Sequence, residues 1–89
     1  MSTGAPAAAT VTLYGQPGCH LCDDARTVID RVRRDICFAL EDVDITRDDV
    51  LLRDYLERIP VVAVDGDEAF EFFVDEQELR RRLARVKSP

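Results

Sequence analysis

The residues best placed to do chemistry in this chain are Cys19 and Cys22, separated only by His20 and Leu21. Cysteines at this spacing can close a small-ring disulfide when both lie on the first turn of a helix. There the unpaired N–H groups and the positive end of the helix dipole favour a thiolate. The thiolate is the species that attacks disulfides, so this placement makes the pair a redox centre. The same spacing serves zinc sites, and the residues alone leave metal ligation open. His20 either assists the Cys19 thiolate, as an imidazolium or a proton relay, or is a solvent-exposed spacer. Asp23 and Asp24 disfavour a nearby thiolate while stabilising the helix start. The remaining cysteine, Cys37, sits at the far end of that helix, which spans about 20 Å and so forbids shared coordination. It is expected to be a packing or incidental cysteine.

Several elements must position the dithiol. Thr10 to Tyr14 is β-branched and aromatic with polar alternation, which predicts a first strand. Gly15-Gln16-Pro17-Gly18 then breaks it. Leu21, Ala25, Val28, Ile29 and Val32 share one helical face, and arginines end that helix near Arg34. Cys37 to Ile45 reads as a second strand. A helix is expected from Thr46, capped by its hydroxyl, with Leu52, Tyr55, Leu56 and Ile59 buried and Pro60 as its stop. Val61 to Val64 is a continuous apolar run, the pattern of a strand covered on both faces. Asp65-Gly66 is a hairpin turn signal, and Ala69 to Phe73 the return strand. Asp75 caps a last helix, with Glu78 at the reciprocal capping position and Val74 and Leu79 as a hydrophobic staple. Leu79, Leu83 and Val86 line its inner face. Tyr14, Tyr55 and the phenylalanines read as core.

The order is β-α-β-α-β-β-α, one domain over residues 10–87 behind a small-residue tail, Met1 to Ala9, expected to be disordered. The chain has 89 residues and a net charge of −6, which excludes a phosphate-neutralising nucleic-acid binder. The arginines and Lys87 near the C-terminus fit a solvated helix face. No export signal or membrane-length apolar run is apparent, so a cytoplasmic home is expected. There a structural disulfide is unfavourable, and the three cysteines are an odd number for a stapled scaffold.

Tyr14-Gly15-Gln16-Pro17-Gly18-Cys19-His20-Leu21-Cys22 looks like the strand, loop and dithiol helix of glutaredoxins. Ile59-Pro60-Val61 stands where that fold carries a cis-proline loop beside the dithiol, and the element order agrees. From about Val11 to Val86 the chain thus resembles the glutaredoxin branch of the thioredoxin-fold superfamily. It is most similar to small members with His-Leu between the cysteines.

The resemblance implies an α/β thioredoxin fold, a four-stranded mixed sheet flanked by three helices. It implies a thiol–disulfide oxidoreductase serving redox homeostasis, with Cys19 as exposed nucleophile and Cys22 as buried resolving thiol. Pro60 would be cis, and His20, Leu21, Ile59 and Pro60 would meet substrate, the loop backbone pairing with an extended thiol. It implies no permanent cofactor and no metal. Electrons would come from glutathione, another low-molecular-weight thiol, or a flavoprotein reductase. Partners would be disulfide-containing proteins or small thiols, met by a monomer, with no nucleic acid and no membrane. Gln16 and Pro17 replace the usual basic residue, and Phe72-Phe73-Val74-Asp75 replaces the glycine pair that binds glutathione, which leaves the reductant open. The alternatives are a metal or iron–sulfur-binding module and a redox-sensing adaptor on the same fold.

Overall fold

The computed structural model describes residues 9–87, the side chains of residues 86 and 87 excepted. Alternation along the first strand sets its layers. In β1 (Thr10–Gly15), Val11 and Leu13 face one side and Thr12 and Tyr14 the other. β1 runs parallel to β2 (Ala39–Asp44) and antiparallel to β3 (Val61–Val64), which pairs antiparallel with β4 (Asp67–Glu71). The sheet order is therefore β2-β1-β3-β4, with β1 and β3 inside. That is why Val61 to Val64 is buried throughout, as an apolar run without alternation predicts.

Helices α1 (His20–Arg33) and α3 (Glu76–Lys87) complete the larger core. Ala25, Ile29, Val32, Leu79 and Leu83 meet Val11, Leu13, Val62 and Val64 there. Each such aliphatic side chain contributes about 1.5–3 kcal/mol by leaving water. A smaller cluster of Cys22, Ile45 and Ile59, with Tyr14, Leu51, Leu52 and Tyr55 against it, is built from β1, α1, the 3₁₀ turn after β2 (Ile45–Arg47), α2 (Asp49–Tyr55) and the loop that follows α2. The α/β thioredoxin fold expected from the sequence is the one observed.

Local boundaries differ from the sequence reading, for local reasons. Thr46 does not cap α2. Asp44 Oδ1 accepts the Thr46 N–H at 2.9 Å and its hydroxyl at 2.6 Å, which folds a 3₁₀ turn first. Asp48 then caps α2, accepting N–H groups from Val50 and Leu51 at 2.8 and 3.2 Å. The helix ends at Tyr55, so Leu56, expected in its buried face, is exposed. The Asp65-Gly66 hairpin is as expected, both residues at positive φ (51° and 89°). β4 starts earlier than expected and closes at Glu71, because its register with β3 shifts at Val62/Ala63 and Phe72 leaves the sheet at φ 72°. Asp75 accepts the Glu78 N–H at 3.1 Å, and Val74 and Leu79 are buried together. The Glu78 carboxylate turns to Arg81 rather than back to the cap.

Ala9, read as part of the tail, is buried and its carbonyl accepts the Ala39 N–H at 2.9 Å. The rest of that tail, residues 1–8, and the Val86 side chain lie outside the described residues. No helix among the described residues is long and apolar enough to cross a membrane.

Register brings the chemistry to one end of the sheet. Gly15 lies opposite Asp44, Tyr14 opposite Val61, and Val61 opposite Glu71. The loops carrying Cys19, Pro60 and Phe72 therefore all leave the same edge.

Candidate active site

Cys19 is the N-cap of α1, in an extended conformation (φ −91°, ψ 113°), and its Sγ accepts the Cys22 N–H at 3.1 Å. The sulfur thus does what a serine or aspartate oxygen does at an ordinary cap, and sits where the helix presents unpaired donors. Cys19 and Cys22 are disulfide-bonded, with Cα atoms 5.2 Å apart. Their environments differ. Cys19 is half-buried at the surface, whereas Cys22 is 1 % exposed and packs with Ile45 and Ile59.

Gly15 explains how Cys22 can sit so deep. A Cβ on Gly15 would lie 2.9 Å from Cys22 Sγ and 3.2 Å from its Cβ, closer than the sulfur can tolerate. The sequence reading took Gly15 for a strand breaker. It is instead the last residue of β1, and its missing side chain is the space the dithiol occupies.

The Ile59–Pro60 peptide bond is cis, as the resemblance implied. Ile59 packs in the cluster with Cys22 and Cys19, so the loop lies against the dithiol. The Pro60 carbonyl accepts the Phe72 N–H at 2.8 Å. Among the described residues no hydrogen bond uses the Ile59 backbone. Beneath the loop, Tyr14 and Tyr55 stack with centroids 4.5 Å apart and planes 8° from parallel. Both were expected to be core; they are half-buried and pack against the cysteine cluster. Burial, aided by donation of its O–H to Glu68 at 2.9 Å, pushes the Tyr55 phenol up to about 12. The Arg58 guanidinium bonds Glu68 and Glu71 and lies 5.1 Å from the Tyr55 ring centre. Arg58 first, and Tyr55 second, hold the Glu68 carboxyl below its ordinary range.

On the other flank, Arg26 bonds both oxygens of Asp42 at 3.0 Å and reaches Asp23 at 3.4 Å. Part of the acidic charge at the helix start is thereby offset, while Asp24 has no such partner among the described residues. A cavity of about 180 Å³ opens here, lined by Gly15, Gln16, Pro17, Asp23, Arg26, Asp42, Val43 and Asp44. His20 is exposed, and its side chain makes no hydrogen bond or ion pair among the described residues. Leu21 is 47 % exposed beside Cys22.

Cys37 is exposed, not packed. It follows Ile36, whose N–H bonds back to Val32 at the far end of α1, and β2 begins only at Ala39. It is remote from the dithiol, as the helix length required. Among the described residues no group of three or more His, Cys, Asp or Glu side chains is arranged to hold a metal ion.

Residues 10–84 match the family model of the glutaredoxin-like domain (DUF836). The chain is similar to protein Ne2328 of Nitrosomonas europaea, known from a solution structure. They share 26 % identity at a TM-score of 0.76, over 93 % of this chain and 99 % of that one. Target protein XcR50 of X. campestris is 30 % identical at a TM-score of 0.70, covering 89 % of this chain and 99 % of that one. A thioredoxin variant of Halobacterium salinarum, 17 % identical with a TM-score of 0.68 over 91 % of this chain and 76 % of its own, shares the fold. A comparison with the curated proteins returns no match.

Proposed function

We propose, from the premise that this chain belongs to the glutaredoxin-like domain family, that it is a thiol–disulfide oxidoreductase. The family and the paired cysteines point to redox chemistry; the exchange mechanism is our reading of the geometry. The observation that carries it is the unequal placement of the two sulfurs. Cys19 Sγ is reachable and receives an N–H at the start of α1, while Cys22 lies sealed behind it. An N–H and a helix dipole aimed at sulfur favour the thiolate over the thiol.

In the reduced protein, the Cys19 thiolate attacks one sulfur of a substrate disulfide. The substrate S–S bond breaks, and the departing thiolate takes a proton from water. Cys22, deprotonated, then attacks Cys19 Sγ in the mixed disulfide and releases the second substrate thiol. The substrate gains two electrons and the Cys19–Cys22 bond re-forms. Burial withholds Cys22 from solvent disulfides but leaves it beside the one sulfur it must reach. The free Ile59 backbone offers an N–H and a carbonyl beside Cys19 to an extended substrate. A low-molecular-weight thiol such as glutathione, or a flavoprotein reductase, restores the dithiol. The setting we assign is a monomer in the cytoplasm.

The test uses Cys19→Ser and Cys22→Ser in a Cys37→Ser background, since exposed Cys37 would confuse thiol trapping. With 2-hydroxyethyl disulfide as substrate and dithiothreitol as reductant, Cys19→Ser should abolish turnover. Cys22→Ser should accumulate a one-to-one mixed disulfide, seen by intact mass. The native pair should titrate reversibly between about −180 and about −280 mV. Full dithiol turnover in Cys22→Ser would sink the resolving role. A protein with no reversible couple is not an exchange catalyst.

A further inference from the structure

We infer that Phe72 and Phe73 select the substrate, and that it is an extended, neutral or basic polypeptide segment with an apolar residue beside its half-cystine. This rests on the exchange reading above and goes beyond it. Among the described residues five large hydrophobic side chains are strongly exposed, and Leu21, Phe72 and Phe73 are three of them. All three stand at the sheet edge that carries the dithiol. Leu21 adjoins Cys22, and Phe72 is tied to Pro60 by its own N–H. Phe73 is 69 % exposed, a large apolar surface to leave in water beside a reactive disulfide.

Three of the backbone donors at this rim are already used. The Phe72 N–H is used by Pro60, the Phe73 N–H by Glu71 at 2.8 Å, and the Glu78 N–H by Asp75. None of these is left to receive a ligand carboxylate. Two side-chain cations are committed as well. Arg58 is committed to Glu68 and Glu71, and Arg26 to Asp42 and Asp23. Arg47 pulls weakly on Asp44 through charge alone, with no ion pair to it among the described residues. Asp24 and Asp75 are acidic groups without an ion pair among the described residues. The charge therefore complements a neutral or cationic partner, as the chain's net charge of −6 does at longer range. Beside Cys19 the Ile59 backbone is unpaired among the described residues, as are the His20 and Leu21 N–H groups of the first helical turn; the Ile59 backbone suits an extended chain and is flanked by apolar side chains.

The full chain in its dithiol form is given two disulfide-linked peptides, one with Leu beside the half-cystine and Lys flanks, one with Ser and Glu there. Glutathione disulfide and 2-hydroxyethyl disulfide are run beside them. The apolar, basic peptide should be reduced with kcat/KM about tenfold above the acidic peptide and glutathione disulfide, the ratio that burying one apolar side chain supplies. Phe72→Asn, which tolerates a left-handed backbone, and Phe73→Ser should each lower the ratio of apolar peptide to 2-hydroxyethyl disulfide, mainly through KM. Glutathione disulfide reduced as fast as the apolar peptide, or variants that keep the native ratio, would overturn the assignment. Failure to reduce 2-hydroxyethyl disulfide at all would instead overturn the exchange reading, and this proposal with it.

Discussion

Gly15 carries more of the site than its size suggests. Its absent Cβ leaves room for Cys22 Sγ, so Gly15→Ala forces the sulfur or β1 to move. Overpacking of this kind costs about 1–3 kcal/mol. We expect a lower melting temperature and a longer-lived mixed disulfide with Cys19, because the displaced Cys22 attacks from a poorer position. Thermal unfolding and the decay of a trapped intermediate check both. A variant with native stability and native resolution would show that the pocket has slack. At this scale the Cys19 and Cys22 pair was legible in the sequence, because a dithiol at a helix start is marked by residue type. Pro60 read by residue type only as a helix stop, and its cis bond was implied by the resemblance. Gly15 was not legible, since nothing near it in the chain says that a sulfur from the next helix will approach.

At the scale of elements, α2 is the weakest. It has seven residues and no fully buried side chain, so its ends matter more than its face. Asp48 accepts two of the N–H groups that no helix can satisfy internally. Asp48→Ala should cost about 1 kcal/mol in denaturant unfolding. Amide exchange should quicken in residues 49–55 before it does in β1 or β3. Uniform exchange across the molecule would mean that α2 is held by Tyr55 and the cluster around Cys22 rather than by its cap. The sequence placed this helix within a few residues but capped it at Thr46. Two aspartates, Asp44 and Asp48, compete for the same role, and the 3₁₀ turn between them uses the first.

Across the whole molecule, charge sets the pH range of stability. Asp44 is held below its ordinary 3.8 by the Thr46 hydroxyl, and Glu68 and Glu76 below 4.5 by arginines. Carboxylates with lowered folded values stabilise the fold above their ordinary values, and that contribution is lost as pH falls through the lowered ones. Tyr55 runs the other way. Its phenol is raised from 10.0 to about 12, so its contribution is complete below 10.0 and is lost as pH rises toward 12. Unfolding free energy should therefore be flat near neutrality and fall on both limbs. Glu68→Gln should flatten the acid limb and Tyr55→Phe the alkaline one, read by denaturant titration across pH; limbs unmoved in both variants would place the titrating groups elsewhere. The sequence by itself determined the dithiol, the element order and the hairpin, because capping, periodicity and turn residues act within a few positions of one another. The tertiary structure alone decided that Tyr14 stacks on Tyr55, that Gly15 faces Cys22, that Phe72 leaves the sheet beside Pro60, and that Cys37 is exposed. Each of these depends on strand register between segments far apart in the chain, and local pattern does not encode that register.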